Sequence, residues 1–267
     1  MNRTIVLWFA VVTLTVFSAC APREHFDPEG HFLVNVIAGG DAVEIIVYMG
    51  GQPEVRIPPY IQNLPVIAIG FSAFTRSQLT SIEIPETVIL IAEEAFARNQ
   101  LTYVNIPDSV VHIGEAAFQA NHISDVTIPN SLITIENFAF AQNSLSSVTI
   151  PESVMIIGER AFWFNQLTEV TFSEGLTYIG NSAFWRNQIT EVAIPNGVTH
   201  IGVGAFAGNH LYSVTLPDGL AHIGEGAFAR NRLTEVTIPE SVTYIGSRAF
   251  DEDVTIIWAG GPPDNWP

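Results

Sequence analysis

Lysine is missing from this chain: all ten basic residues are arginine, against 27 acidic ones, for a formal charge of −17. So acidic a chain cannot neutralise a phosphate backbone, which excludes nucleic acid as a partner. Cysteine is nearly missing too. Cys20 is the only one, so no disulfide can form within the chain. Charged residues make up only 14% and apolar residues 48%, too little charge and too much apolar matter for a disordered protein. Catalytic signatures are also lacking. The sequence holds no nucleophile elbow, phosphate loop, H-E-x-x-H or calcium-loop spacing. The expectation is a non-enzyme with no cofactor and no metal.

No apolar run is long. The largest, Ile5 to Phe17, covers 13 residues and is too short to cross a bilayer of ~30 Å comfortably as a helix. With Arg3 before it, it fits the apolar region of an export signal. It leads into Phe17-Ser18-Ala19-Cys20, which resembles the bacterial lipobox, although Phe17 departs from the usual aliphatic choice. That resemblance implies a signal peptide over 1–19, lipidation of Cys20, and attachment to a membrane through that lipid. Residues 20–30 then read as a lipidated tether.

What the chain does have is a strict period. Nine phenylalanines stand 22 residues apart: Phe74, Phe96, Phe118, Phe140, Phe162, Phe184, Phe206, Phe228 and Phe250, each preceded by alanine. A fixed period of this size marks a stacked-repeat architecture. Within a unit such as 231–250, Val236 and Ile238 alternate with Thr237, as in a strand with one buried face. Pro239 ends that strand, since it cannot donate to a ladder. A second extended stretch, Val242–Ile245, follows, and Gly246 turns the chain. The G-x-x-A-F piece suggests one helical turn that drops the ring inward. A single unit buries too little to offset the ordering of its backbone, so the units exist only in a stack.

The fold expected is a β-rich solenoid: a stack of 22-residue coils with parallel strands and short helical turns over 55–250. Residues 31–54 contain two apolar stretches joined by Gly39-Gly40-Asp41, a β-hairpin that would cap the first coil. Five extra residues near Gln62–Val66 should bulge from the first coil. Residues 251–267 are expected to form a C-terminal cap and tail, with a last strand at 254–258 and Trp266 folding back as a cover.

The frame N-x-L-x-x-V-x-I-P-x-x-V-x-x-I-G-x-x-A-F resembles the BspA-like, or Treponema-type, leucine-rich repeat and covers about three quarters of the chain. The resemblance implies a bacterial cell-surface or periplasmic protein of adhesion-like character that binds a protein or a glycan. An envelope component that is structural or self-assembling, with no dedicated ligand, is the competing reading.

Four polar or aromatic columns bear on function. Asn99, Asn121, Asn143, Asn165, Asn187, Asn209 and Asn231 recur at the period and read as a structural ladder bonding backbone between coils. Tyr103, Asp125, Glu169, Glu191 and Glu235 belong to the exposed middle column of the main strand, the face leucine-rich repeats usually bind through. Small polar residues also simply suit exposed strands. Trp163 and Trp185 share one position in adjacent coils, with Phe164 beside them. Other coils place Ala or Gln there, so the indoles should be partly exposed and form a candidate binding patch. Tyr178, His200, His222 and Tyr244 form a fourth column, read as solvated ring stacking in preference to a metal site.

Overall fold

The computed structural model describes residues 26–262. The proposed signal segment, Cys20 and Trp266 lie outside the described residues.

Each coil has three sides. The first carries a short strand of three or four residues, from Glu54–Arg56 through Ser81–Glu83 and Tyr103–Asn105 to Glu235–Ile238 and Thr255–Trp258. These strands run parallel and in register, Asp125 beside Tyr103 and Glu191 beside Ser213. In strands such as Tyr103–Asn105, Asp125–Thr127 and Glu169–Thr171, the central residue faces the core and its neighbours face out. The second side carries a two-residue strand per coil, such as His200–Ile201, again parallel and in register. The third side is the A-F segment, where the structure corrects the expected helical turns. Among the described residues the helical segments are two three-residue 3-10 turns, Glu29–His31 and Ala38–Gly40, neither in the repeats. The segment instead makes consecutive β-turns, Ala95 N–H to Ala92 and Ala97 N–H to Glu94. Two residues per coil, four apart, enter the left-handed region, as at Glu94 (φ 53°) and Arg98 (φ 58°). Their purpose is visible in the bonding. Glu94, Phe96 and Arg98 donate to Glu115, Ala117 and Gln119 of the next coil, a ladder a helix would have turned inward.

The core is the predicted one. Eight of the nine phenylalanines are fully buried and Phe250 nearly so. Their rings stack at 5.0 to 5.7 Å along the whole axis. The hairpin, Phe32–Ile37 against Ala42–Tyr48, is antiparallel, and its second strand joins Leu64–Ile69 of the first coil. Tyr48 stacks on Phe74 at 5.2 Å, so the cap continues the ring column as well as the sheet. The five extra residues are not a loose bulge. Tyr60–Ile61 pairs antiparallel with the start of Leu64–Ile69, through a two-residue turn at Gln62 and Asn63, both at positive φ. Residues assigned to the tether also pair with the first coil: Asp27 accepts from Arg56 N–H at 2.8 Å and Glu29 from Gln62 N–H at 2.9 Å.

The asparagine ladder is structural. Each Oδ1 accepts a backbone N–H of the preceding coil, and each Nδ2 donates to two phenylalanine carbonyls, one in its own coil and one in the coil before. At the C-terminal end the ladder stops at Asn231, and Asp251, not the in-phase Asp253, caps other donors. Its carboxylate accepts Arg230 N–H at 2.8 Å and Asn231 N–H at 3.0 Å, donors that have no further coil to bond.

Candidate functional site

The candidate residues fall on separate sides of the coil, and the structure does not gather them into one site. Tyr103, Asp125, Glu169, Glu191 and Glu235 stand exposed on the first side, one per coil, because the strand alternation turns them outward. Tyr212 reaches across this face to Glu191 at 3.3 Å. The surface is acidic and shallow, with a dimple at Ala193, where the neighbouring coils carry threonine.

Trp163, Phe164 and Trp185 lie on the third side. The two indoles stack at 6.0 Å and 11°, with Phe164 edge-on to Trp163 at 6.2 Å. Both tryptophans are half-buried and Phe164 is exposed. Arg160 sits over Trp163 and Arg186 over Trp185, at 6.0 and 5.0 Å. Trp163 Nε1–H is buried without an acceptor. Trp185 lines a trough of about 770 Å³, whose floor is Gly204, Ala207, Gly226 and Ala229.

The histidine column is a ring stack on the second side. His200 and His222 lie 5.5 Å apart, and His222 lies 4.4 Å from Tyr244. Burial first, and the neighbouring His200 second, hold the His222 imidazole below its usual pKa. No cluster of three metal-ligating side chains occurs among the described residues.

One column on that same side escaped the sequence reading. Ile89, Val111, Ile133 and Met155 are exposed to 44, 58, 55 and 46% in four successive coils. They hold the strand register, with Val111 N–H bonded to Ile89 and Met155 N–H to Ile133. At 4.8 Å per step they make an apolar stripe roughly 14 Å long. Thr177, Thr199, Ala221 and Thr243 occupy the same register further on, so the ladder does not require an aliphatic side chain here. The signal is present in the period, in an aliphatic run that later coils replace with threonine or alanine.

With the geometry in hand, comparison with known proteins gives a family. The model for the BspA type leucine rich repeat region (6 copies) matches residues 67–188 and 133–257. The chain belongs to the BspA-type leucine-rich repeat family. Proteins of this family and fold are typically scaffolds and not enzymes. Three solved structures show the same fold. The leucine-rich repeat protein of T. pallidum, TpLRR, is 23% identical over 86% of this chain and 100% of its own, with a TM-score of 0.58. One from Eubacterium ventriosum is 20% identical, covering 85% and 70%, with a TM-score of 0.51. The pneumococcal vaccine antigen PcpA is 18% identical, covering 86% and 84%, with a TM-score of 0.50. No curated protein matches significantly.

Proposed function

We propose that this BspA-type protein is exported, held at the bacterial envelope by a lipid on Cys20, and binds a protein partner through its second side in an adhesion-like role. The apolar stripe of Ile89, Val111, Ile133 and Met155 carries the reading. Contiguous exposed aliphatic side chains on a soluble fold favour a protein interface, since leaving them in water is unfavourable. The stack holds them at fixed intervals, so little ordering entropy is lost on docking. Export and lipidation are supported by the N-terminal run and the lipobox-like end. PcpA, a vaccine antigen, has the same fold.

The test pairs the full-length protein with a Val111→Ser, Ile133→Ser variant in surface-binding assays against extracellular matrix proteins and envelope extracts. The reading expects a saturable protein ligand for the parent and at least tenfold weaker binding for the variant, at unchanged melting temperature. Equal binding by both removes the stripe as the interface. Oligomers of the parent that the variant fails to form assign the stripe to self-assembly instead.

A further inference from the structure

The trough beyond Trp185 has a construction of its own. Position 163 of the repeat reads Trp163, Trp185, Ala207, Ala229, Asp251 in successive coils. The column of flat rings therefore stops at Trp185, and the next two coils offer only methyl groups. The column three residues earlier reads Arg160, Ser182, Gly204, Gly226, Arg248. All of these share one left-handed conformation, φ 51 to 60°, and serine and arginine tolerate it. Glycine at 204 and 226 eases that conformation and also removes side chains from the surface where the trough lies. Gly208 empties a third column in the same coil, where Phe164 and Arg186 stand earlier. In two columns of these coils, and in all three of the Gly204 coil, the surface is stripped to backbone and methyls, between an indole wall at one end and Arg248 with Glu252 at the other.

The stack does not require tryptophan at this position. Trp163 holds a buried N–H without an acceptor, a destabilising feature. Ala141 and Ala207 fill the same position in adjoining coils with the stack intact. Trp185 Nε1–H makes no hydrogen bond among the described residues and is not buried away from solvent.

The rim defines the ligand. Arg160, Arg230 and Arg248 face Glu225, Asp251 and Glu252, so the lining is charge-balanced in a chain of net −17. Arg160 is engaged by Glu159 at 2.9 Å, and Asp251 by backbone N–H groups. Arg230, Arg248, Glu225 and Glu252 form no side-chain bond among the described residues and are exposed. The site thus offers free donors and free acceptors together, beside a flat aromatic wall and an apolar floor. A phosphate or other strong anion would meet the carboxylates, and a cation the guanidinium groups. A neutral pyranose satisfies all of it: its C–H face stacks on the indole, and its hydroxyls both donate and accept. The volume, about 770 Å³, lies within the usual range for small-ligand sites.

We propose that this trough is a binding site for neutral oligosaccharide, with Trp185 as the stacking platform. It is separate from the protein-binding stripe, which lies on another side of the coil. The experiment is calorimetric titration of the full-length protein, in a non-glycosidic detergent, with maltotriose, cellotriose, mannotriose and chitotriose, followed in parallel by tryptophan emission. Sialyllactose and inorganic phosphate serve as anionic probes. The expected result is saturable millimolar or tighter binding of at least one neutral trisaccharide, with shifted emission. Trp185→Ala should weaken it about tenfold or more, equivalent to about 1.4 kcal/mol. Ala207→Trp should block it with the stack still folded, since the two preceding coils already carry tryptophan there. No binding of any neutral probe, preference for the anionic probes, or binding indifferent to both substitutions would overturn the proposal. Val111→Ser and Ile133→Ser should leave sugar binding untouched, so failure of one site is distinguishable from failure of the other.

Discussion

Replacing Asn143 with alanine tests how the coils are joined. Asn143 is 8% exposed. Its Oδ1 accepts Ile123 N–H at 3.0 Å, and its Nδ2 donates to the carbonyls of Phe118 and Phe140 at 2.9 and 3.2 Å. Each of those carbonyls also receives a second asparagine: Phe118 from Asn121 at 3.1 Å and Phe140 from Asn165 at 2.9 Å. Asn143→Ala therefore orphans one buried N–H and halves the bonding of two carbonyls. An orphaned donor costs about 1–3 kcal/mol and each lost bond about 0.5–1.5, so the sum is roughly 2–6 kcal/mol. The sharing makes a sharper claim. In Asn143→Ala, Asn165→Ala the Phe140 carbonyl loses both partners, so the double variant should exceed the sum of the singles by about 1–2 kcal/mol. Asn143 and Asn187 share no carbonyl, and that pair should be additive within about 0.5 kcal/mol. Urea unfolding supplies the energies. Amide exchange supplies the location, with Ile123 losing protection first in Asn143→Ala. A cost below about 1 kcal/mol, or equal additivity in both pairs, would refute the shared-ladder account.

Further perturbations address the core, the last coil and pH. Phe140→Ala, between rings at 5.6 and 5.7 Å, should cost about 3–5 kcal/mol in urea unfolding, and a cost near that of a surface site would place the ring outside the core. Asp251→Ala should speed amide exchange at Arg230 and Asn231 while leaving the central coils protected; unchanged exchange at both would deny it the capping role. The folded pKa of His222 is depressed, so the stabilisation of its neutral form is present above the unfolded value of about 6.5 and is lost as pH falls through the folded one. The urea midpoint should drop across that window. His222→Thr, the residue Thr134 already supplies in this column, should flatten the drop; an identical pH profile would contradict the assignment.

The period made the buried half of the fold legible. Phe118 and Ile113 recur because every coil meets the same neighbours above and below, so their burial follows from repetition alone. The asparagine ladder was readable for the same reason. The A-F segment was not, because G-x-x-A-F has helix-like spacing while its N–H groups are claimed by the adjacent coil; that competition lies between coils and leaves no trace within one. The candidate sites sit where repetition breaks. The stripe from Ile89 to Met155 is a run of aliphatics that later yields to threonine, visible only when exposed columns are compared. The trough is made of what Gly204, Ala207 and Gly208 lack, and an absence spread over three columns declares itself only in three dimensions.

The interface on the second side can be put to trial on living cells. A photo-crosslinking residue at Ile133, with another at Asp125 on the first side as control, would be irradiated with the partner source present. The account predicts a discrete protein adduct from position 133 and none from 125. Adducts from 125 alone, or from neither position with the fold intact, would contradict it.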